Sequence, residues 1–159
     1  MSAVNIHATG LVLDKAGLIL RGPSGAGKSL LALELLDLWE SRGLAGKLVS
    51  DDRIDIEATP RGLVMSAPKA IAGLIELRGR GIVSRPFVEQ APLHLVVDLV
   101  DGLDRMVEEN ALVVTLEGVS LARCPVPRAG IVDSRHQLLL IREALRALSP
   151  APVRRKKTA

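Results

Sequence analysis

The order of apolar and polar positions predicts short strands first, one buried helix behind them, further strands, and a closing helix. Val4-Asn5-Ile6-His7 alternates, Leu11-Val12-Leu13 leads into the turn Asp14-Lys15-Ala16-Gly17, and 18–21 reads as the next strand. Two short strands around such a turn predict a hairpin, and therefore a mixed rather than purely parallel sheet. The Leu-rich stretch behind them is apolar nearly all round, which predicts a buried helix over 28–42 capped by Gly43. Leu48-Val49-Ser50 reads as a strand ending in Asp51-Asp52. Ile54 and Ile56 alternate with polar residues, as a half-exposed strand does, with Leu63-Val64-Met65 as its partner. Residues 67–73 are irregular, and 74–77 and 82–83 flank the basic, glycine-rich Arg78-Gly79-Arg80-Gly81.

The run 93–100 is almost continuously apolar and predicts a central strand. Residues 112–114 and 119–121 form a late hairpin in this reading. Ser134-x-x-Gln137 has the form of a capping box, opening a helix to 148 with Leu138, Ile141, Leu145 and Leu148 on one face. No repeat or linker divides the chain. The expectation is one domain over 1–149, then a disordered basic tail over 150–159.

Composition narrows the class. The 159 residues are 48% hydrophobic, enough for one full core. One Trp, one Phe and no Tyr leave the core to aliphatic side chains and argue against a base-stacking nucleic-acid surface. Net charge is only +3, and part of that excess sits in Arg154-Arg155-Lys156-Lys157. The single cysteine, Cys124, excludes an intrachain disulfide and lacks a nearby His to activate it. No signal-peptide pattern and no bilayer-length apolar run are present, so a cytoplasmic protein without membrane or nucleic-acid partners is expected.

The strongest chemical signal is Gly22-Pro23-Ser24-Gly25-Ala26-Gly27-Lys28-Ser29, a complete G-x-x-x-x-G-K-S loop between a predicted strand and a predicted helix. Glycines let backbone N–H groups turn toward a polyphosphate, and the helix offers its positive end to the same charge. Lys28 suits the β- and γ-phosphates of ATP and the Ser29 hydroxyl suits Mg²⁺.

Such a loop needs an acid to place the metal or orient the nucleophile. Asp51-Asp52 follows one strand, and Asp98 follows the more apolar Leu95-Val96-Val97. Spacing alone does not choose between them. An adjacent pair offers two roles, one carboxylate toward the metal and the other turned away or acting as base. Glu76 and Arg78, two residues apart on an extended segment, share a face. They read equally as Mg²⁺ and phosphate ligands or as a surface ion pair. Alone, His7 and Arg105 read as a structural strand histidine and a solvated turn residue.

Taken in order, these pieces resemble the catalytic domain of HPr kinase/phosphorylase, the bacterial enzyme that phosphorylates a serine of the phosphocarrier HPr. The resemblance rests on His7, Leu-Ile-Leu-Arg-Gly-Pro-Ser-Gly-Ala-Gly-Lys-Ser, Leu-Val-Ser-Asp51-Asp52-Arg-Ile-Asp-Ile, Leu-Ile-Glu76-Leu-Arg-Gly-Arg-Gly-Ile82, and Leu-Val-Val-Asp-Leu followed by Asp104-Arg105. It covers roughly residues 5–121, without a counterpart of the family's N-terminal domain. It implies an α/β fold with a mixed sheet, of the P-loop type shared with phosphoenolpyruvate carboxykinases, and a hexameric assembly.

By resemblance Lys28 contacts phosphate, Ser29 and Glu76 hold Mg²⁺, Asp52 is the acid–base residue, and His7 and Arg105 belong to the active site. Two positions depart from the family pattern. Leu30 stands where an acid usually follows the loop serine. Arg123-Cys124-Pro125-Val126-Pro127-Arg128-Ala129-Gly130 is a broken form of the segment tied to dephosphorylation.

The function this implies is an ATP-dependent serine kinase for an HPr-type carrier of the phosphotransferase system, with phosphorolytic dephosphorylation as a further activity. The alternatives are a P-loop kinase of another substrate and a non-catalytic ATP-binding sensor.

Overall fold

A computed structural model describes residues 3–148. In chain order it contains β1 (Val4–Ile6), β2 (Ala8–Leu13), β3 (Ala16–Arg21), α1 (Lys28–Ser41), β4 (Gly46–Ser50), β5 (Ile54–Thr59), β6 (Gly62–Ser66), β7 (Leu74–Leu77), β8 (Gly81–Ser84), β9 (Gln90–Pro92), β10 (Leu95–Val100), β11 (Val113–Leu116), β12 (Val119–Pro127) and α2 (Ser134–Leu148). Short 3₁₀ turns cover Lys69–Ile71 and Glu109–Leu112. The predicted tail over 150–159 lies outside the described residues.

The elements stack in three layers. The middle layer is a six-stranded mixed sheet in the order β11-β12-β10-β3-β2-β4. Its centre is parallel, with β10 between β3 and β12, and its flanks are antiparallel. Both helices cover one face. There Leu11, Leu20, Val97 and Val126 of the sheet meet Leu31, Leu35 and Trp39 of α1 and Ile141 of α2, all buried. The other face packs on a four-stranded antiparallel sheet, β1-β5-β6-β9, through Ile19, Val49, Val96, Ile54, Ile56 and Met65. Strand alternation sends successive side chains to opposite layers, which explains why nearly continuous apolar runs were needed in β3 and β10.

The β2–β3 hairpin forms as expected, with its turn tightened to Asp14-Lys15. Ala16 and Gly17 belong to β3. A side chain at Gly17 would run into the Pro92 carbonyl, so glycine there serves close backbone approach. α1 ends one residue earlier than predicted. Gly43, at φ 72°, follows the cap: its N–H donates to the Glu40 carbonyl at 3.0 Å and that of Leu44 to the Trp39 carbonyl at 2.9 Å.

Two expectations need correction. α2 is capped by Asp133, whose Oδ1 accepts from the His136 N–H at 2.9 Å. Gln137 does not close a capping box with Ser134; it is buried and donates to the Pro127 carbonyl at 2.9 Å. The last strand also runs well past the predicted hairpin, to Pro127. β11 covers β12 only as far as Ala122, while β10 pairs through Pro127. The Arg128 N–H donates to the Val100 carbonyl, so by alternation the nitrogens of Pro125 and Pro127 face the uncovered side, where no ladder bond is lost.

Candidate active site

β3 delivers the chain to the loop and α1 carries it away. Ala26 is buried against the helix-side core, and Gly22 lies tight against Leu99 of β10, which seats the loop on the central strand. Gly27 sits at φ 95°, a conformation that glycine adopts freely, and no side chain caps the N-terminus of α1. The first helical N–H groups therefore point into the cleft with the positive end of the helix dipole behind them. Lys28 is buried and its Nζ donates to the carbonyls of Gly22 at 2.7 Å and Pro23 at 3.2 Å.

The Asp51-Asp52 turn joins the two sheets, between β4 and β5. The β2–β4 ladder shifts register between Gly10 and Leu11, a bulge of the kind that re-aims a strand end. The Arg53 N–H donates to the Asp51 carbonyl at 2.8 Å, and the Ser50 hydroxyl donates to the Arg53 carbonyl. Within this turn the two carboxylates go to opposite places. Asp51 Oδ1 accepts from the Ser29 hydroxyl at 2.7 Å and from the Thr9 hydroxyl at 3.0 Å, and its Oδ2 from the Glu76 N–H at 3.2 Å. Asp52 accepts from His7 Nε2 at 2.5 Å. Both partners of that pair are open to solvent, 38% for the His7 side chain and 60% for Asp52.

One cleft of about 560 Å³ gathers Ser24, Gly25, Gly27, Lys28 and Ser29 from the loop with Asp51, Asp52, Glu76 and Arg78. Exposed Leu30 and Ile82 line it too. A larger hollow of about 770 Å³ lies toward the start of β3, among Trp39, His94 and Leu145, and contains none of the predicted residues. The loop residues and the Asp51-Asp52 pair thus share the smaller cleft. Arg78 and Arg80 both lie in the exposed turn Arg78-Gly79-Arg80 that closes the β7–β8 hairpin. Arg105 lies in the exposed segment after β10 and does not line the cleft.

Asp98, the rival acid, is elsewhere. It pairs in register with Arg21, which donates through Nε at 2.7 Å and Nη2 at 2.9 Å, and it accepts from Arg123 Nε at 2.6 Å. Burial pushes its carboxyl up, but the two guanidinium groups outweigh that and hold it below the ordinary carboxylate value. The same carboxylate raises the Arg21 guanidinium further. Cys124 is inert in this setting: burial pushes its thiol up to about 11, against a small opposing pull from Arg123.

Sequence reasoning missed Thr9, which is fully buried and touches both acids of the turn. A hydroxyl in an otherwise apolar strand, two residues after His7, was the available signal. The Ser29 hydroxyl and the Glu76 backbone N–H both meet the Asp51 carboxylate. Among the described residues no three His, Cys, Asp or Glu side chains group as a metal cluster.

A mixed sheet with a phosphate loop between its central strand and a covering helix defines an α/β protein of the P-loop kinase type. The family model for the HPr Serine kinase C-terminal domain matches residues 1–131, and the chain belongs to that family. The solved structure of the Hpr(Ser) kinase/phosphatase from Coxiella burnetii superposes with a TM-score of 0.73 at 31% identity, over 91% of this chain and 89% of that one. An HPr kinase/phosphorylase from Clostridium beijerinckii is 28% identical, over 84% of this chain and 50% of its own length. One from Exiguobacterium sibiricum is 47% identical, over 49% of this chain and 24% of its own. The chain thus matches half or less of the length of these two relatives. No helix among the described residues is long and apolar enough to cross a membrane.

Proposed function

We propose that the chain is an ATP-dependent serine kinase acting on an HPr-type phosphocarrier protein in the cytoplasm. The observation that carries this reading is the division of the Asp51-Asp52 turn, with one carboxylate on the loop serine and its neighbour on an exposed histidine. A phosphoryl transfer site needs those two functions side by side: one group to organise metal and phosphate, another to receive the hydroxyl proton.

The residues present fit ATP and Mg²⁺. The cleft volume falls in the usual range for small-ligand sites, about 300–1,000 Å³, and its floor is the uncapped N-terminus of α1. Ser29 and Glu76 supply hard oxygen donors, the kind Mg²⁺ takes in small number beside phosphate oxygens and water. Because the Ser29 proton points at Asp51, its oxygen lone pairs are left for the metal; Asp51 orients the ligand rather than replacing it. When bound, Mg²⁺ neutralises charge on the transferring phosphate.

The chain's own contributions follow. Lys28 and the loop N–H groups bind and orient the phosphates, and the dipole of α1 adds to their positive field. Asp52 faces the open side of the cleft, where it orients the carrier's serine hydroxyl and accepts its proton as the phosphoryl group departs. His7 donates to Asp52 and fixes the orientation of that carboxylate. Arg78 adds cationic charge at the cleft wall. Arg105, phosphorolytic reversal and a hexamer are carried by the resemblance.

The test is phosphoryl transfer from γ-labelled ATP, with an HPr-type carrier and small hydroxylated metabolites offered in parallel. The expected result is label on a carrier serine and none on the metabolites. Label only on a metabolite would assign another P-loop kinase. ATP binding without any transfer would assign the sensor.

A further inference from the structure

The Thr9 hydroxyl occupies an unusual position. Its side chain is fully buried on β2, on the helix side of the sheet. Oγ1 donates its one proton to Asp51 Oδ1 at 3.0 Å and accepts from the Asp52 N–H at 3.2 Å. The Asp51 carboxylate can only accept, which fixes the direction of the hydroxyl and turns its lone pairs to the Asp52 amide. One buried atom thus holds the side chain of one acid and the backbone of the next.

The backbone it holds is one that needs holding. Asp52 sits at φ 72°, a left-handed conformation that is unfavourable for residues other than glycine. Asp is among the side chains that tolerate it, but tolerance does not select it. Ser29 and Thr9 share Asp51 Oδ1, so without Thr9 the carboxylate is held only by Ser29 and, through Oδ2, by the Glu76 N–H. The β2–β4 pairing ends at Gly10 and Ser50, one residue short of Thr9 and of Asp51, so the ladder does not supply the same constraint.

From this we infer that Thr9 is a positioning residue for both acids: it sets Asp51 on the loop serine and fixes the turn that aims Asp52 at His7. The inference rests on the kinase reading of the site, but its test separates the two.

Thr9→Val replaces the hydroxyl by a methyl of the same shape and keeps a strand-forming side chain; Thr9→Ser restores the hydroxyl alone. Expected for Thr9→Val is a kcat about 10- to 100-fold lower, with the KM for carrier nearly unchanged. The Mg²⁺ concentration giving half-maximal nucleotide binding should rise, and the Asp52 amide should exchange faster in the metal-free protein. Thr9→Ser should recover each of these. The binding and exchange readouts need no carrier, so they judge Thr9 even if carrier phosphorylation fails. Should Thr9→Val not fold, Thr9→Cys, with a weaker donor and acceptor, is read by the same measures. A folded hydroxyl-less variant with unchanged kcat, Mg²⁺ dependence and amide exchange overturns the inference. So does Thr9→Ser failing as badly as Thr9→Val.

Discussion

Asp51, Asp52 and Asp98 carry the same side chain and end in three different situations. Asp51 accepts three hydrogen bonds at the phosphate loop, Asp52 stands open beside His7, and Asp98 is clamped between Arg21 and Arg123. Hydropathy favoured Asp98, because the strand before it is the more apolar. That strand is more apolar because it is central, and a central strand must neutralise a charge that it half-buries. The Asp98 carboxyl is held below its ordinary value, so it contributes stability above about pH 4. That stability is lost as pH falls through the lower folded-state value. Asp98→Asn should therefore cost about 2 kcal/mol at pH 7, between the limits for exposed and buried pairs. The gap from wild type should narrow toward pH 3. Urea unfolding across that range checks it, and a gap independent of pH would contradict the assignment.

At the scale of elements, most of the fold was legible from periodicity and punctuation. The loop motif, the Leu-rich helix and Gly43 placed α1 within one residue, because chain entry and exit there are chemically marked. The start of α2 was misread for a local reason. Ser134 and Gln137 have the spacing of a capping box, but Asp133 is a comparable cap one residue earlier. Gln137 was drawn instead to a buried carbonyl that only tertiary structure supplies. The expected consequence is an asymmetry: Asp133→Ala should cost about 1 kcal/mol, and Ser134→Ala less than about 0.5 kcal/mol. Chemical denaturation of the two variants decides it, and the reverse order would restore the box. β12 runs past the predicted 119–121 and through Pro125 and Pro127, residues that strands disfavour. They are tolerated where β11 stops covering the strand.

At the scale of the molecule, layer assignment was the part the sequence could not reveal. Alternation identifies which residues turn inward, yet it does not say that β5 and β6 leave the main sheet to form a second one. That departure is what matters for function. The Asp pair occupies the crossing point between the two sheets, so one carboxylate reaches the helix layer and the loop while the other stays at the open edge with His7. The loop and the acids could be named from motif and resemblance, whereas the division of labour proposed for them rests on this crossing and on Thr9. The most direct test of that division is the initial rate of carrier phosphorylation from γ-labelled ATP by wild type, Asp52→Asn and Asp98→Asn. Each should be measured under conditions where the variant is folded and binds nucleotide. The account predicts a fall of at least about 100-fold for Asp52→Asn, the scale of a lost general base, and a rate within a few-fold of wild type for Asp98→Asn. Full activity in Asp52→Asn, or an equal collapse in folded Asp98→Asn, would contradict it.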